Sequence, residues 1–213
     1  MNKKYILFDL DGTLTDPYIG ITNGIIYALK ELGREIPPRE QLKSFIGPPL
    51  IDEFQRAFGM DKAQAEEAAA LYRRYYFDKG LYENRLIEGT IELLCEIRKS
   101  GRKICLATCK PKEASVAILE HFDIAKYFDF IGAATLDGRI RTKRQVLETV
   151  LEHTGSSPES CVLVGDRMYD IIGAHEVGMK CIGVLVGFGS REEFAEYKAD
   201  FVAEKLCDVL NFI

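Results

Sequence analysis

The chain has 213 residues with 28 basic and 33 acidic side chains, a net charge of −5, 47% hydrophobic and 29% charged residues. That is the make-up of a soluble globular protein with one good-sized domain, or a core carrying a smaller insertion. The acidic balance argues against a nucleic-acid or anionic-membrane surface, so an anionic substrate would have to be met locally by a metal ion, a lysine or backbone N–H groups.

The N-terminal run MNKKYILFDLDG reaches Asp9 after too short an apolar stretch for a signal peptide, and no run approaches membrane-spanning length. Tyr5–Phe8 reads as a strand. From about Pro17 to Arg85 the pattern turns helical, over Ile19–Leu32, Pro38–Phe45, Leu50–Phe58 and Lys62–Lys79, with no strand between. The remainder alternates. Helical patterns at Thr90–Lys99, Lys112–Phe122, Lys143–His153 and Tyr169–Val177 are interleaved with strands at Lys103–Ala107, Phe128–Gly132, Cys161–Val164 and Cys181–Val186. Such alternation implies a parallel sheet covered by helices on both faces, with a helical cap inserted after the first strand. The six cysteines show no CxxC pair and mostly sit inside apolar runs, so buried free thiols and a cytoplasmic location are expected.

The informative polar groups fall just beyond apolar strands: Asp9 after Tyr-Ile-Leu-Phe, Thr108 after Ile-Cys-Leu-Ala, and Asp166 after Cys-Val-Leu-Val-Gly. Ligands of open α/β sheets bind at that edge, so these strands direct two carboxylates and a hydroxyl to one crevice. Asp9 and Asp11, two residues apart, point to the same side of an extended strand end. Their repulsion favours a shared proton or a bound cation, and magnesium prefers such oxygen ligands. Gly12 permits a sharp turn and a close approach to a ligand. Alone, the Asp-x-Asp-Gly spelling also fits a calcium loop or a polar turn.

In company, these motifs resemble the haloacid dehalogenase superfamily, specifically its phosphatases of the phosphoglycolate phosphatase and 5′-nucleotidase type. The resemblance rests on Asp9-Leu-Asp-Gly-Thr13, Leu106-Ala107-Thr108, Lys143 entering a helix, and Gly165-Asp166 with Asp170 four residues later. It implies an α/β fold: a Rossmann-like three-layer α/β/α parallel-sheet core over 1–15 and 86–213, and a small α-helical cap domain over 16–85. It also implies Mg²⁺-dependent hydrolysis of a small-molecule phosphate ester. Asp9 would be the nucleophile forming an aspartyl-phosphate, and Asp11 the proton carrier. Asp9, the Asp11 backbone carbonyl and Asp166 would hold the metal, with Asp170 behind them. Thr108 would bind a phosphoryl oxygen, and Lys143 would neutralise charge and orient Asp9. By residue pattern alone Lys143 reads as a solvated lysine beside Arg141 and Arg144, and Arg141 or Lys110 could substitute for it. Cys109 departs from the Ser or Asn more usual there, which leaves its backbone N–H as the substrate contact.

Substrate selection is expected in the cap, with the rigid Gly47-Pro48-Pro49 loop as its candidate contact and a plain helix-to-helix turn as the alternative. Cys161 to Arg167 spells the Cys-x5-Arg pattern of cysteine phosphatases, but the residues between read as a buried strand that separates the two ends. The rival readings are a phosphomutase of the same superfamily and a binding or regulatory protein with a vestigial site.

Overall fold

The computed structural model describes residues 3–213. The chain divides into two compact units, one formed by the chain up to Asp16 and from Leu86 to Ile213, the other by Pro17–Arg85.

The first unit is built on strands β1 (Tyr5–Phe8), β2 (Lys103–Pro111), β3 (Phe130–Ala134), β4 (Cys161–Gly165), β5 (Lys180–Val184) and β6 (Phe201–Ala203). They form one parallel sheet in the order β3-β2-β1-β4-β5-β6. This is the doubly wound Rossmann order, in which the chain starts at the centre, winds to one edge, and then reverses to build the other half. The reversal falls beside β1, so the ends of β1, β2 and β4 surround the crevice it opens. Ile6, Leu7 and Phe8 are wholly buried, which is why so short a run forms the central strand.

In chain order the helices are α1 (Tyr18–Glu31), α2 (Leu50–Phe58) and α3 (Lys62–Tyr75) in the second unit, then α4 (Thr90–Lys99), α5 (Lys112–His121), α6 (Lys143–Thr154), α7 (Met168–Glu176) and α8 (Arg191–Glu196) in the first. Helix α4 buries Thr90, Leu93, Leu94 and Ile97, the i, i+3, i+4, i+7 stripe of a helix lying on a sheet. The first unit also clasps its own chain ends around the insertion. The Leu14 carbonyl accepts both the Ile87 N–H and the Thr90 hydroxyl, each at 3.0 Å.

The second unit packs α1, α2, α3 and a 3-10 helix (Arg39–Phe45) around Phe45, Phe54 and Phe58, whose ring centroids lie 5.0–6.1 Å apart. Asp61 and Gln64 close a reciprocal capping box at the start of α3. The pattern read as one helix over Lys62–Lys79 changes at Tyr75 into a single π turn, Tyr76–Gly80. The sequence reading also passed over β6, and it ended β2 at Ala107 although the strand runs on to Pro111. Phe128–Gly132 is displaced to Phe130–Ala134, and the strand expected to reach Val186 stops at Val184.

Candidate active site

Strand β1 ends at Phe8, and Asp9 stays aligned with the sheet because its N–H donates to the Val164 carbonyl at 2.9 Å. The chain then turns tightly. The Leu10 carbonyl accepts the N–H groups of Thr13, Leu14 and Thr15 at 3.2, 2.9 and 3.0 Å. Gly12 has φ of +82°, and a Cβ on it would stand 2.2 Å from Asp166 Oδ2, so only glycine lets the loop pass. Asp166, fully buried beyond β4, accepts the Thr13 hydroxyl on Oδ1 (3.1 Å) and the Phe188 N–H on Oδ2 (2.8 Å). At Gly187 a Cβ would meet the Gly12 carbonyl at 2.1 Å and Asp166 Oδ2 at 2.3 Å.

Helix α6 starts at Lys143 because Thr142 and Gln145 form a capping box just before it. Its buried positions are Lys143, Val146, Leu147 and Val150, so the lysine heads the apolar stripe and points inward. Three oxygens surround its ammonium: Asp170 Oδ1 at 2.7 Å, the Ala107 carbonyl at 2.8 Å and Asp9 Oδ1 at 3.0 Å. Asp170, one turn into α7, is buried in the same way and accepts the Arg167 N–H at 3.1 Å.

On the other side, the pairing of β2 with β3 shifts register between Thr108 and Pro111. Lys110 is buried there, with its Nζ 2.6 Å from Asp11 Oδ2. The Thr108 hydroxyl accepts the Lys110 N–H at 3.2 Å. Cys109 is half-buried between them, and burial pushes its thiol up to about 11. The edge thus gathers Asp9, Asp11, Thr108, Lys143, Asp166 and Asp170. Gly47 belongs to the other unit, where it has φ of +109°. Thr13, expected only as the end of the first motif, and Lys110, expected only as a possible substitute for Lys143, both contact site carboxylates, and Gly187 and the Phe188 N–H join them without any sequence signal.

Burial governs the electrostatics. It raises Asp166 well above the usual carboxylate range, Asp170's charge adds to the effect, and the Phe188 N–H only partly opposes it. Burial likewise raises Asp11, against the pull of Lys110. For Lys143 burial favours losing the proton, but the charges of Asp170 and Asp9 outweigh it and hold the ammonium protonated. Asp9, Asp166 and Asp170 each offer a carboxylate oxygen, all within 4.8 Å of one another. Asp9 Oδ1 and Asp170 Oδ1 are buried with no hydrogen-bond partner beyond the ion-pair contact with Lys143, and Asp11 Oδ1 has none. Carboxylates crowded this closely, with oxygen as the only donor, fit a hard divalent cation, which would relieve their repulsion.

The description "Haloacid dehalogenase-like hydrolase" is that of the family model matching residues 6–184, which include Asp9, Asp11, Thr108, Lys143, Asp166 and Asp170. The chain belongs to that family. Relatives match nearly the whole chain. A 5′-nucleotidase of Pseudomonas aeruginosa is 42% identical over 203 residues, covering 93% of this chain and 92% of the relative. The tyrosine-protein kinase PtkA of Mycobacterium tuberculosis is 36% identical over 201 residues, covering 94% of this chain but 66% of that longer protein. Among solved structures, a predicted phosphatase from Clostridium acetobutylicum superposes with a TM-score of 0.95 at 36% identity, covering 100% of this chain and 98% of that one. The protein is an enzyme, a phosphoric monoester hydrolase of the haloacid dehalogenase-like family. No helix among the described residues is long and apolar enough to cross a membrane.

Proposed function

We propose that the enzyme hydrolyses a small phosphomonoester through an aspartyl-phosphate on Asp9, with Mg²⁺ as cofactor. The observation that carries this reading is the pairing at the sheet edge. Asp9 is fixed by Lys143 on one oxygen, while Asp11 stands two residues away with one buried oxygen unpartnered. Asp9 attacks phosphorus as the bond to the leaving oxygen breaks, and Asp11 gives that oxygen its proton. Water then attacks the phosphorus of the aspartyl-phosphate, Asp11 takes the water's proton, and Asp9 and inorganic phosphate are released. Burial, which raises the Asp11 pKa, suits a group that must carry a proton in the first step.

Asp9, the Asp11 backbone carbonyl and Asp166 would hold the metal, and Asp170 would keep Lys143 aligned on Asp9. When bound, the ion would screen the carboxylates from an anionic substrate. Thr108 and the Cys109 N–H would bind phosphoryl oxygens. The Pro17–Arg85 unit would act as the cap, with Gly47 in its substrate-facing loop. Nucleoside monophosphates are the first substrates to try, because the 5′-nucleotidase relative covers both chains almost end to end. A reducing cytoplasm would suit the buried thiols.

The test is phosphate release across nucleoside monophosphates, phosphoglycolate, sugar phosphates and pyrophosphate, with and without EDTA. Turnover is expected to vanish in Asp9→Asn and on chelation. Undiminished turnover in purified Asp9→Asn would remove Asp9 as the nucleophile.

A further inference from the structure

The site contains two buried ammonium groups, and their surroundings differ. Lys143 already has three oxygens about it, the Ala107 carbonyl accepting a hydrogen bond at 2.8 Å and Asp170 and Asp9 standing as ion-pair partners at 2.7 and 3.0 Å. A fourth oxygen could join only if Lys143 loosened its hold on Asp170, strand β2 or Asp9. Lys110 is placed otherwise. Thr108 and Lys110 lie at the end of β2 where its pairing with β3 shifts register, and the Lys110 N–H bonds back to the Thr108 hydroxyl, which keeps the two residues together. The Thr108 hydroxyl accepts the Lys110 N–H, so its own hydrogen is available to another oxygen. The carboxylate that Lys110 holds, Asp11, keeps its second oxygen buried with no hydrogen-bond partner. A buried oxygen in that condition calls for a partner from water, an ion or a ligand.

We propose that Lys110, rather than Lys143, is the cation that takes hold of the substrate. One oxygen of the phosphate ester replaces Asp11 Oδ2 on the Lys110 ammonium, and the Thr108 hydroxyl donates to a second. Substrate binding thereby frees the Asp11 carboxyl to turn toward the leaving group. The ammonium keeps one anionic partner throughout, and the displaced Asp11 carboxylate takes a proton from solvent as it leaves, which is the form the first step needs. Lys143 is then a positioning residue for Asp9. This inference rests on the phosphatase reading above and deepens it.

The test titrates inorganic phosphate calorimetrically into the full-length protein in saturating MgCl₂, with thermal melts confirming that each variant is folded. Lys110→Met and Lys110→Gln are expected to weaken phosphate binding by about 30-fold or more, the loss typical of removing one partner of a buried charge pair. Lys110→Arg should recover most of that affinity. With p-nitrophenyl phosphate the same variants should raise KM by a similar factor and lower kcat much less. Lys143→Arg should leave phosphate affinity within roughly threefold and lose kcat instead. A folded Lys110→Met or Lys110→Gln protein that binds phosphate as the wild type does would overturn the proposal. So would loss of phosphate binding in Lys143→Arg with the Lys110 variants unaffected. The titration needs no turnover, so a failed nucleophile assignment, seen as active Asp9→Asn, is told apart from failure of this inference.

Discussion

Replacing Lys143 with Met removes the ammonium but keeps an unbranched apolar stem of similar reach, so the variant isolates the charge from the packing. Lys143 is 5% exposed in its side chain and its partner Asp170 is 1% exposed, while Asp9 is 16% exposed. Asp170 would keep only the Arg167 N–H, and three buried or half-buried oxygens would lose their cation. Breaking a buried pair from one side costs about 3–5 kcal/mol, because the surviving charge stays desolvated. For a chain of this size each kcal/mol lowers Tm by roughly 2–4 °C, giving a fall of about 6–20 °C. Urea unfolding and calorimetry in EDTA should show this fall. The double variant Lys143→Met/Asp170→Asn should recover part of it, because the charge stranded on Asp170 is gone while that on half-buried Asp9 stays, with a coupling energy of about 1–3 kcal/mol. A Lys143→Met protein within about 1 kcal/mol of wild type would refute the view that Asp170 and Asp9 depend on this one ammonium.

Three further outcomes are expected. Gly187→Ala should abolish activity and cost on the order of 1–3 kcal/mol, since its Cβ meets the Gly12 carbonyl at 2.1 Å and backbone must move; phosphatase assays and urea melts measure both effects. Burial raises the Asp129 carboxyl, but hydrogen bonds from Lys103 and the Ile104 N–H, together with Arg98, outweigh it and hold its pKa below 3.8. Its contribution is therefore present above the unfolded pKa near 4 and is lost as pH falls through the lower folded value. Solvent screening limits the effect to about 1 kcal/mol or less, and acid unfolding of Asp129→Asn should show that increment missing. Mg²⁺ at about 100 times its Kd should stabilise the protein by about 2.7 kcal/mol, and Asp166→Asn should abolish the accompanying rise in Tm. An equal rise in Asp166→Asn would argue that Asp166 holds no metal.

The α/β class and the parallel sheet were legible because the strands are compact apolar runs alternating with helical patterns, with Asp9, Thr108 and Asp166 following the apolar runs of β1, β2 and β4. β6 was not, since Phe201-Val202-Ala203 is too short to show a period. Asp9, Asp11, Thr108 and Asp166 could be named from their positions after strands. Lys143 needed either the family resemblance or a closer look at α6, where it shares the buried stripe with Val146, Leu147 and Val150. Its basic neighbours obscured that stripe. The partnership of Lys110 with Asp11 was hidden because it depends on β2 staying extended past Ala107 and shifting register at its end. Gly187 and the Phe188 N–H act through backbone and tight space, which leave no side-chain signature in a sequence.

The clasp at Leu14 has an evolutionary consequence. Its carbonyl ties the outgoing chain to Ile87 and Thr90 of the returning chain using groups of the core alone. The core therefore holds both ends of the insertion with groups of its own, and inside the insertion the Gly20 N–H to Glu83 carbonyl bond draws the same two ends together. Doubling the length of a closed loop adds only about 0.6 kcal/mol of closure entropy. The segment from Pro17 to Arg85 is thus a replaceable module. Descendants of this scaffold can exchange it, lengthen it or shorten it while Asp9 and Asp11 keep their place, so new substrates can be tried without rebuilding the chemistry.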